Sequence, residues 1–322
     1  MQDIADRVKV SRSTVSQVLS GKAAGKVSER VQKKVRETAR ELNYHVNSLA
    51  QSLRTGESKV IGVIVTDIAS EFFNKLISCI QEEAMKQGYL VLTVNTNEDE
   101  HSFMQMVDIL VGKKVDGIIA IPTKGGESAL RRILDHGVPL VTVDRFYEGI
   151  PVDYVGIDNY DSAYRMIKQA LEDGYRSISL ASLDIDVPSI MERRKAYQDA
   201  MEEAGLEREI DVRLIPFQPE DTFDIVDSLE GFAKRDAVFF TSRRVFYQSM
   251  SAVAARRLAI PSSQCLLCFD DASPFIPPCN DFRYISQPIR EMAKKSFELL
   301  LKQIHGKSEP GKYLLPAREV RL

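Results

Sequence analysis

Apolar residues in the first 42 positions recur at helical spacing. Ile4, Ala5 and Val8 give one apolar side to a short helix, and Lys9-Val10 makes a tight turn after it. Ser11 is placed to cap a second helix, Arg12 to Leu19, whose Val15, Val18 and Leu19 face inward; Gly21 ends it. Beyond the loop KAAGKV, Ser28 is placed to cap a third helix with Val31, Val35, Ala39 and Leu42 on one stripe. Two short helices joined by a tight turn, with a third packed across them, form a helix-turn-helix unit. In that geometry the second helix enters the DNA major groove and offers Arg12, Ser13 and Gln17 to base edges. A three-helix interaction module with solvated polar residues fits the same pattern.

In the next segment, HVNSLAQSLRTGESK, the residues Val46, Leu49, Ala50 and Leu53 fall at i, i+3, i+4 and i+7. A helix of about two turns is not stable alone and needs a partner. Pairing with its twin on a second chain, with Leu53 wedged into a minor-groove base step, is one solution. Packing on the rest of the chain as a linker helix is the other.

From Val60 onward the period changes. Short apolar runs at 60–65, 89–95, 115–121, 140–143, 155–158, 177–182, 212–215, 237–241, 265–269 and 284–286 alternate with helical stretches. Such βαβ alternation predicts parallel sheets covered on both faces, and so many strands fit two sheets better than one. The fold class expected is therefore a small all-α helix-turn-helix head followed by an α/β body of two doubly wound parallel-sheet subdomains. Crossings are expected near residues 157 and 286, with a terminal strand from Tyr313. The boundaries read as a head at 1–45, a hinge and linker at 46–59 and a body at 60–322. Within the body, 60–157 and 287–310 make the first subdomain, and 158–286 and 311–322 the second.

Charge sharpens this division. The net charge of -3 over 322 residues conceals a head and hinge, 1–59, at +6 and a body at -9. A basic head on an acidic body points to a polyanion partner, with Lys9, Arg12, Lys22 and Lys26 where phosphates would pass. Hydrophobic residues at 44% and charged ones at 28% are ordinary globular values and exclude collagenous, disordered and coiled-coil classes. No apolar run approaches a membrane span, and MQDIADRVKV has no apolar signal core, so a cytoplasmic protein without a membrane partner is expected. Four cysteines are too few for a disulfide scaffold, and the Cys265, Cys268 pair sits in an apolar strand with no second pair to complete a metal site. No metal and no cofactor are expected.

In open parallel sheets, ligands bind beyond the carboxyl ends of strands. Polar residues follow the strands repeatedly here: Thr66-Asp67, Asp144-Arg145, Asp184, Ser242-Arg243 and Asp270-Asp271. Singly each reads as a turn or cap; together they outline two rims of a cleft. An enzyme in that cleft would need chemistry the chain does not offer. GxGxxG, GxxxxGK[ST] and GxSxG are absent, and the four histidines are scattered. A solute-binding protein is opposed by the attached basic head.

Residues 4 to 65, IADRVKVSRSTVSQVLSGKAAGKVSERVQKKVRETARELNYHVNSLAQSLRTGESKVIGVIV, resemble the head and hinge of the LacI/GalR family of bacterial transcription regulators. The body is similar to that family's effector-binding body and to the periplasmic sugar-binding proteins. The resemblance implies a homodimeric repressor on a near-palindromic operator in double-stranded DNA, with a small-molecule effector in the cleft that alters the subdomain angle and thereby the hinge. It places Arg12, Ser13 and Gln17 on the recognition helix and Asn47, Ala50 and Leu53 in the hinge. In the cleft it implies Thr66, Ser70, Phe72, Phe73 and Asp144 on the near rim, and Arg193, Ser242, Asp270 and Gln287 opposite or at the crossings. Gln17 stands where many members have Arg, and Val46 where Pro is common. At 242–243, where relatives often have Asn-Asp, this chain has Ser-Arg. An Arg fork suits a carboxylate or phosphate, so an anionic sugar derivative held by Arg193 and Arg243 is expected; solvent, Asp270 or Asp271 are the alternative surroundings of Arg243. With no heptad segment after the last strand, a dimer rather than a tetramer is expected.

Overall fold

The computed structural model describes residues 1–19, 21, 23–44, 56–217, 231–258, 260–275, 281–306 and 309–322. The chain divides into two compact units, Met1–Ser58 and Lys59–Leu322.

In the first unit, α1 (Gln2–Val8), α2 (Arg12–Leu19) and α3 (Glu29–Glu41) enclose a core of Ile4, Ala5, Val8, Val15, Val18, Ala23, Val35 and Ala39. Lys9 ends α1 in the left-handed region at φ 61°, which turns the chain sharply into α2. The Ser11 hydroxyl accepts from the Thr14 amide at 3.0 Å and so caps α2. Ser28 does not cap α3 in that manner. It occupies the N-cap position with extended backbone, but its side chain makes no capping bond. Val46, Asn47, Leu49, Ala50 and Leu53 of the expected hinge helix lie outside the described residues, as does Lys22.

Among the described residues, the second unit contains two six-stranded sheets. The strands are β1 (Val60–Val65), β2 (Leu90–Asn95), β3 (Gly117–Ala120), β4 (Leu140–Val143), β5 (Asp153–Ile157) and β6 (Ile178–Leu183), then β7 (Asp211–Ile215), β8 (Ala237–Phe240), β9 (Cys265–Phe269), β10 (Asp281–Ser286), β11 (Lys312–Leu315) and β12 (Arg318–Arg321). The first sheet has the order β11-β5-β4-β3-β1-β2 and is wholly parallel. The second, β12-β10-β9-β8-β6-β7, is parallel except for β12, which runs antiparallel to β10. Most central strands are apolar from end to end, as burial on both faces requires. The helices α4 (Glu71–Lys86), α5 (Glu100–Gly112) and α6 (Glu127–Asp135) belong to the first lobe; α7 (Asn159–Glu172), α8 (Pro188–Glu203) and α9 (Arg243–Ala255) to the second. After β10 the chain returns to the first lobe as α10 (Ile289–Ile304), packed on α4, β3, β4 and β5.

Two doubly wound lobes are thus the observed fold. One boundary needs correction. Residues 311–322, expected in the second lobe, divide between the two: Lys312–Leu315 pairs with Tyr154–Ile157, and Arg318–Arg321 pairs with Arg283–Ser286. Pro316-Ala317 therefore makes a third crossing. The terminal strand at Tyr313 was legible, but REVR is a charged edge strand without the apolar run that announces the others.

Among the described residues no helix is long and apolar enough to cross a membrane, and no cluster of three or more His, Cys, Asp or Glu is arranged to hold a metal. Cys265 and Cys268 are buried three positions apart on β9, hence on opposite sides of the strand and in separate cores.

Candidate functional site

On the head, Arg12, Ser13 and Gln17 are exposed, as are Lys9 and Lys26. Ser13 and Gln17, four residues apart, share a face of α2 with Arg12 at its start. The Ser13 hydroxyl lies 2.7 Å from that of Ser11, joining it to the cap. The face carries hydrogen-bonding side chains, while Val15 and Val18 behind it anchor the helix in the core.

In the body, both lobes wall a cavity of about 380 Å³. Ser70, Phe72 and Phe73 enter it from the start of α4, and Asp144 from the end of β4. Arg193 comes from α8, Ser242 and Arg243 from the start of α9, Asp270 from the end of β9 and Gln287 from the second crossing. Those nine sequence-derived positions come together. Thr66 does not: it is fully buried behind the wall, where its carbonyl accepts from the Glu98 amide at 3.2 Å.

Arg193 sits at the centre. Its Nε and Nη2 donate to Asn159 Oδ1 at 3.0 and 2.7 Å, its Nη1 donates to the Thr241 carbonyl at 2.7 Å, and its guanidinium lies 3.6 Å above the Phe269 ring. Three carboxylates feel its charge, Asp270, Asp144 and Glu192, and the first two are non-glycine residues in the left-handed region, at φ 86° and 66°. Strained backbone of this kind persists where the surroundings hold it, and here it turns both carboxyl groups back toward the cavity. Burial pushes both pKa values up while Arg193 opposes the shift, and burial lowers that of Arg193. Gln287 Nε2 donates to Asp270 at 2.5 Å.

The other guanidiniums have acidic partners. Arg145 meets Glu98 in a buried pair, with Nη1 to Oε2 at 2.8 Å and Nη2 to Oε1 at 2.6 Å. Arg243 is buried; its backbone amide donates to Asp270, whose charge it also feels, but its side-chain ion pair lies elsewhere. It forms an ion pair across the cleft with Glu71 at the start of α4. Arg244 crosses likewise to Asp67, and at the surface Lys124 reaches Asp186 at 3.0 Å. Among the residues not singled out beforehand are Glu71, Glu98, Asn159, Arg244, Tyr247 and Gln248. Glu98 stands in the acidic run NEDEH, which reads as solvated surface, and Asn159 opens an ordinary helix, so neither carried a sequence signal.

Carboxylates that only accept, guanidiniums and amides that donate, and the aromatic pair Phe72 and Phe73, with centroids 5.2 Å apart, suit a small ring bearing several hydroxyls. No pairing of nucleophile with base appears among these residues; the site is built to bind.

Comparison with known proteins agrees. Residues 1–47 match "Bacterial regulatory proteins, lacI family", residues 58–232 match "Periplasmic binding proteins and sugar binding domain of LacI family", and residues 167–321 match "Periplasmic binding protein-like domain". The chain belongs to the LacI family. It is similar to the probable HTH-type transcriptional regulator EndR of Paenibacillus polymyxa, 28% identical over 96% of this chain and 92% of that one. With the HTH-type transcriptional repressor PurR of Actinobacillus pleuropneumoniae serotype 3 (strain JL03) it shares 25% identity over 94% and 90%. The fold is also that of the lac repressor dimer crystallised with operator and the anti-inducer ONPF, with a TM-score of 0.83 and 20% identity over 99% and 96% of the two chains. This LacI-family protein accordingly joins a DNA-binding, regulatory type of head to a sugar-binding type of body.

Proposed function

We propose that this protein is a transcription repressor that acts in the cytoplasm as a homodimer on a near-palindromic operator, and that a small effector held in the cleft sets its DNA affinity. The observation that carries the proposal is the cavity itself, walled by both lobes and centred on buried Arg193, Asp144 and Asp270. A ligand that touches both lobes favours one angle between them, and coupling of this kind is typically worth about 1 to 3 kcal/mol. Arg12, Ser13 and Gln17 face base edges; Lys9, Lys22 and Lys26, together with Arg12 at the start of the helix, meet phosphates; Asn47, Ala50 and Leu53 act in the minor groove. Ser70, Phe72, Phe73, Asp144, Arg193, Ser242, Arg243, Asp270 and Gln287 bind the effector, with Thr66 supporting them from behind. Met85, Leu90 and Ile109 leave exposed apolar side chains on the first lobe, whose edge strand β2 is open on one side, and exposed apolar side chains beside an open edge support self-association.

For the effector, an anionic sugar derivative such as a sugar phosphate or sugar acid is our first reading. It is supported by the buried Nε of Arg243, which has no hydrogen-bond partner, and by the amino ends of α4, α8 and α9, all of which supply residues to the cavity wall. A neutral sugar is the second, favoured by the pairing of Arg243 with Glu71 and by the sugar-binding character of the family. The test combines three measurements: selection of a binding site from random DNA, sedimentation of the protein on that site, and calorimetry with phosphorylated and unphosphorylated forms of the same sugars. Two subunits on a palindromic site, released or tightened by a phosphorylated sugar, are expected. Monomeric binding without sequence preference would overturn the proposal.

A further inference from the structure

We infer that the effector's anionic group displaces Glu71 from Arg243, exchanging an ion pair across the cleft for a contact to the ligand. This rests on the reading of an anionic effector in the same cleft and adds how its binding is converted into lobe movement.

The two partners differ in a way that fixes which one leaves. The Arg243 side chain is 9% exposed and that of Glu71 is 56% exposed. When the pair separates, Glu71 returns to water at little cost, whereas a buried guanidinium left without an anion is strongly unfavourable. Arg243 must therefore be handed to another anion, not released. It is equipped for one: Glu71 engages Nη1, while the buried Nε has no acceptor, so part of the fork needed for a bidentate oxyanion remains open. Nearby Gln248 Oε1 and Gln287 Oε1 are also buried on the cavity wall without partners, two acceptors that a polar ligand would satisfy. Asp270, which also faces Arg243, and Tyr247 on the next turn complete the surroundings; the negative charge of Asp270 limits how much further charge the pocket accepts.

The consequence is mechanical. Arg243 begins α9 of the second lobe and Glu71 begins α4 of the first, so their pair fastens two helix ends across the cleft. Arg244 to Asp67 and Lys124 to Asp186 are parallel fasteners. Exchange at Arg243 removes one of these three, which loosens the hold of one lobe on the other without abolishing it.

The experiment titrates inorganic phosphate calorimetrically into the full chain as wild type, Glu71→Gln and Arg243→Gln. Removing the internal competitor should make E71Q bind phosphate roughly tenfold tighter than wild type, equivalent to about 1.4 kcal/mol, and R243Q should lose binding. Glu71→Ser, which also deletes the charge at this exposed position, should repeat the gain if the Gln variant folds poorly. Phosphate binding that needs Arg243 but does not tighten in either Glu71 variant would overturn the exchange while leaving the anionic reading intact. Failure of phosphate to bind wild type and both Glu71 variants would overturn both and favour a neutral sugar.

Discussion

Asp144 and Asp270 illustrate how much single residues reveal. Both were legible as cleft candidates because each follows an apolar strand, yet nothing in the string of letters announces their left-handed backbone, which depends on the neighbouring strands: the Asp144 amide donates to Val155 and the Asp270 amide to Ile285. Arg243 is the converse. Its position beside the cleft was readable, its partner was not, because Glu71 is 172 residues away in sequence and meets it only across the two lobes. At this scale Gln17 is the sharpest test of base reading. Gln17→Ala should cost roughly 1 to 3 kcal/mol at one operator position and relax the preference there, measured as affinity for a set of single-base operator variants. Equal losses on operator and random DNA would make Gln17 a positioning residue only. A second residue test concerns stability. Arg283 is fully buried and held by Asp281 and Asp173, with Tyr175 and Arg321 also bonded to Asp281. Asp281→Ala should destabilise the body by about 3 to 5 kcal/mol in chemical denaturation, since it leaves a buried cation with half its partners. Burial opposes ionisation of Asp281, but the hydrogen bonds and charge of Arg283 outweigh it and hold the carboxyl below its ordinary range. Its share of stability is present above the unfolded aspartate pKa of about 3.9 and is lost as pH falls through the lower folded value, so Asp281→Asn should flatten the acid limb of the pH profile.

Among the elements, helices and strands with strong periodicity were read nearly to their ends: Val60–Val65, Leu140–Val143 and Cys265–Phe269 coincide with the apolar runs. Strands with polar or charged residues were read short or missed, β10 because it opens with Asp281 and Arg283, β12 because Arg318, Glu319 and Arg321 surround one valine. These residues are kept in strands by tertiary ion pairs rather than by apolar alternation. Caps were half legible, Ser11 bonding as its position suggests and Ser28 not. Ser242 caps α9 by accepting from the Val245 amide at 3.3 Å, while its backbone holds Arg243 at the cleft. Ser242→Ala should lower the thermal stability of the body by about 1 kcal/mol, and it should weaken phosphate binding through the displaced start of α9. Unchanged melting and unchanged phosphate affinity would show that the cap neither stabilises the helix nor positions Arg243.

For the whole molecule, the division into a basic head and an acidic body was visible in the charges alone, and the two units Met1–Ser58 and Lys59–Leu322 follow that division closely. The third crossing was not visible, because which sheet a short terminal strand joins is decided by the edges available to it, β5 in one lobe and β10 in the other. The central claim is that the head grips DNA through its cationic surface and does so twice, once per subunit. Counterion release makes that claim measurable, since each phosphate contact contributes a slope of about -0.9 to log K against log salt. Four basic residues per head, Lys9, Arg12, Lys22 and Lys26, meeting phosphates in a dimer predict a slope of about -7 on a selected palindromic operator, measured by fluorescence anisotropy between low and physiological salt. A slope near -3 or -4 would mean that one head binds at a time, and a flat response would contradict DNA binding through this surface altogether.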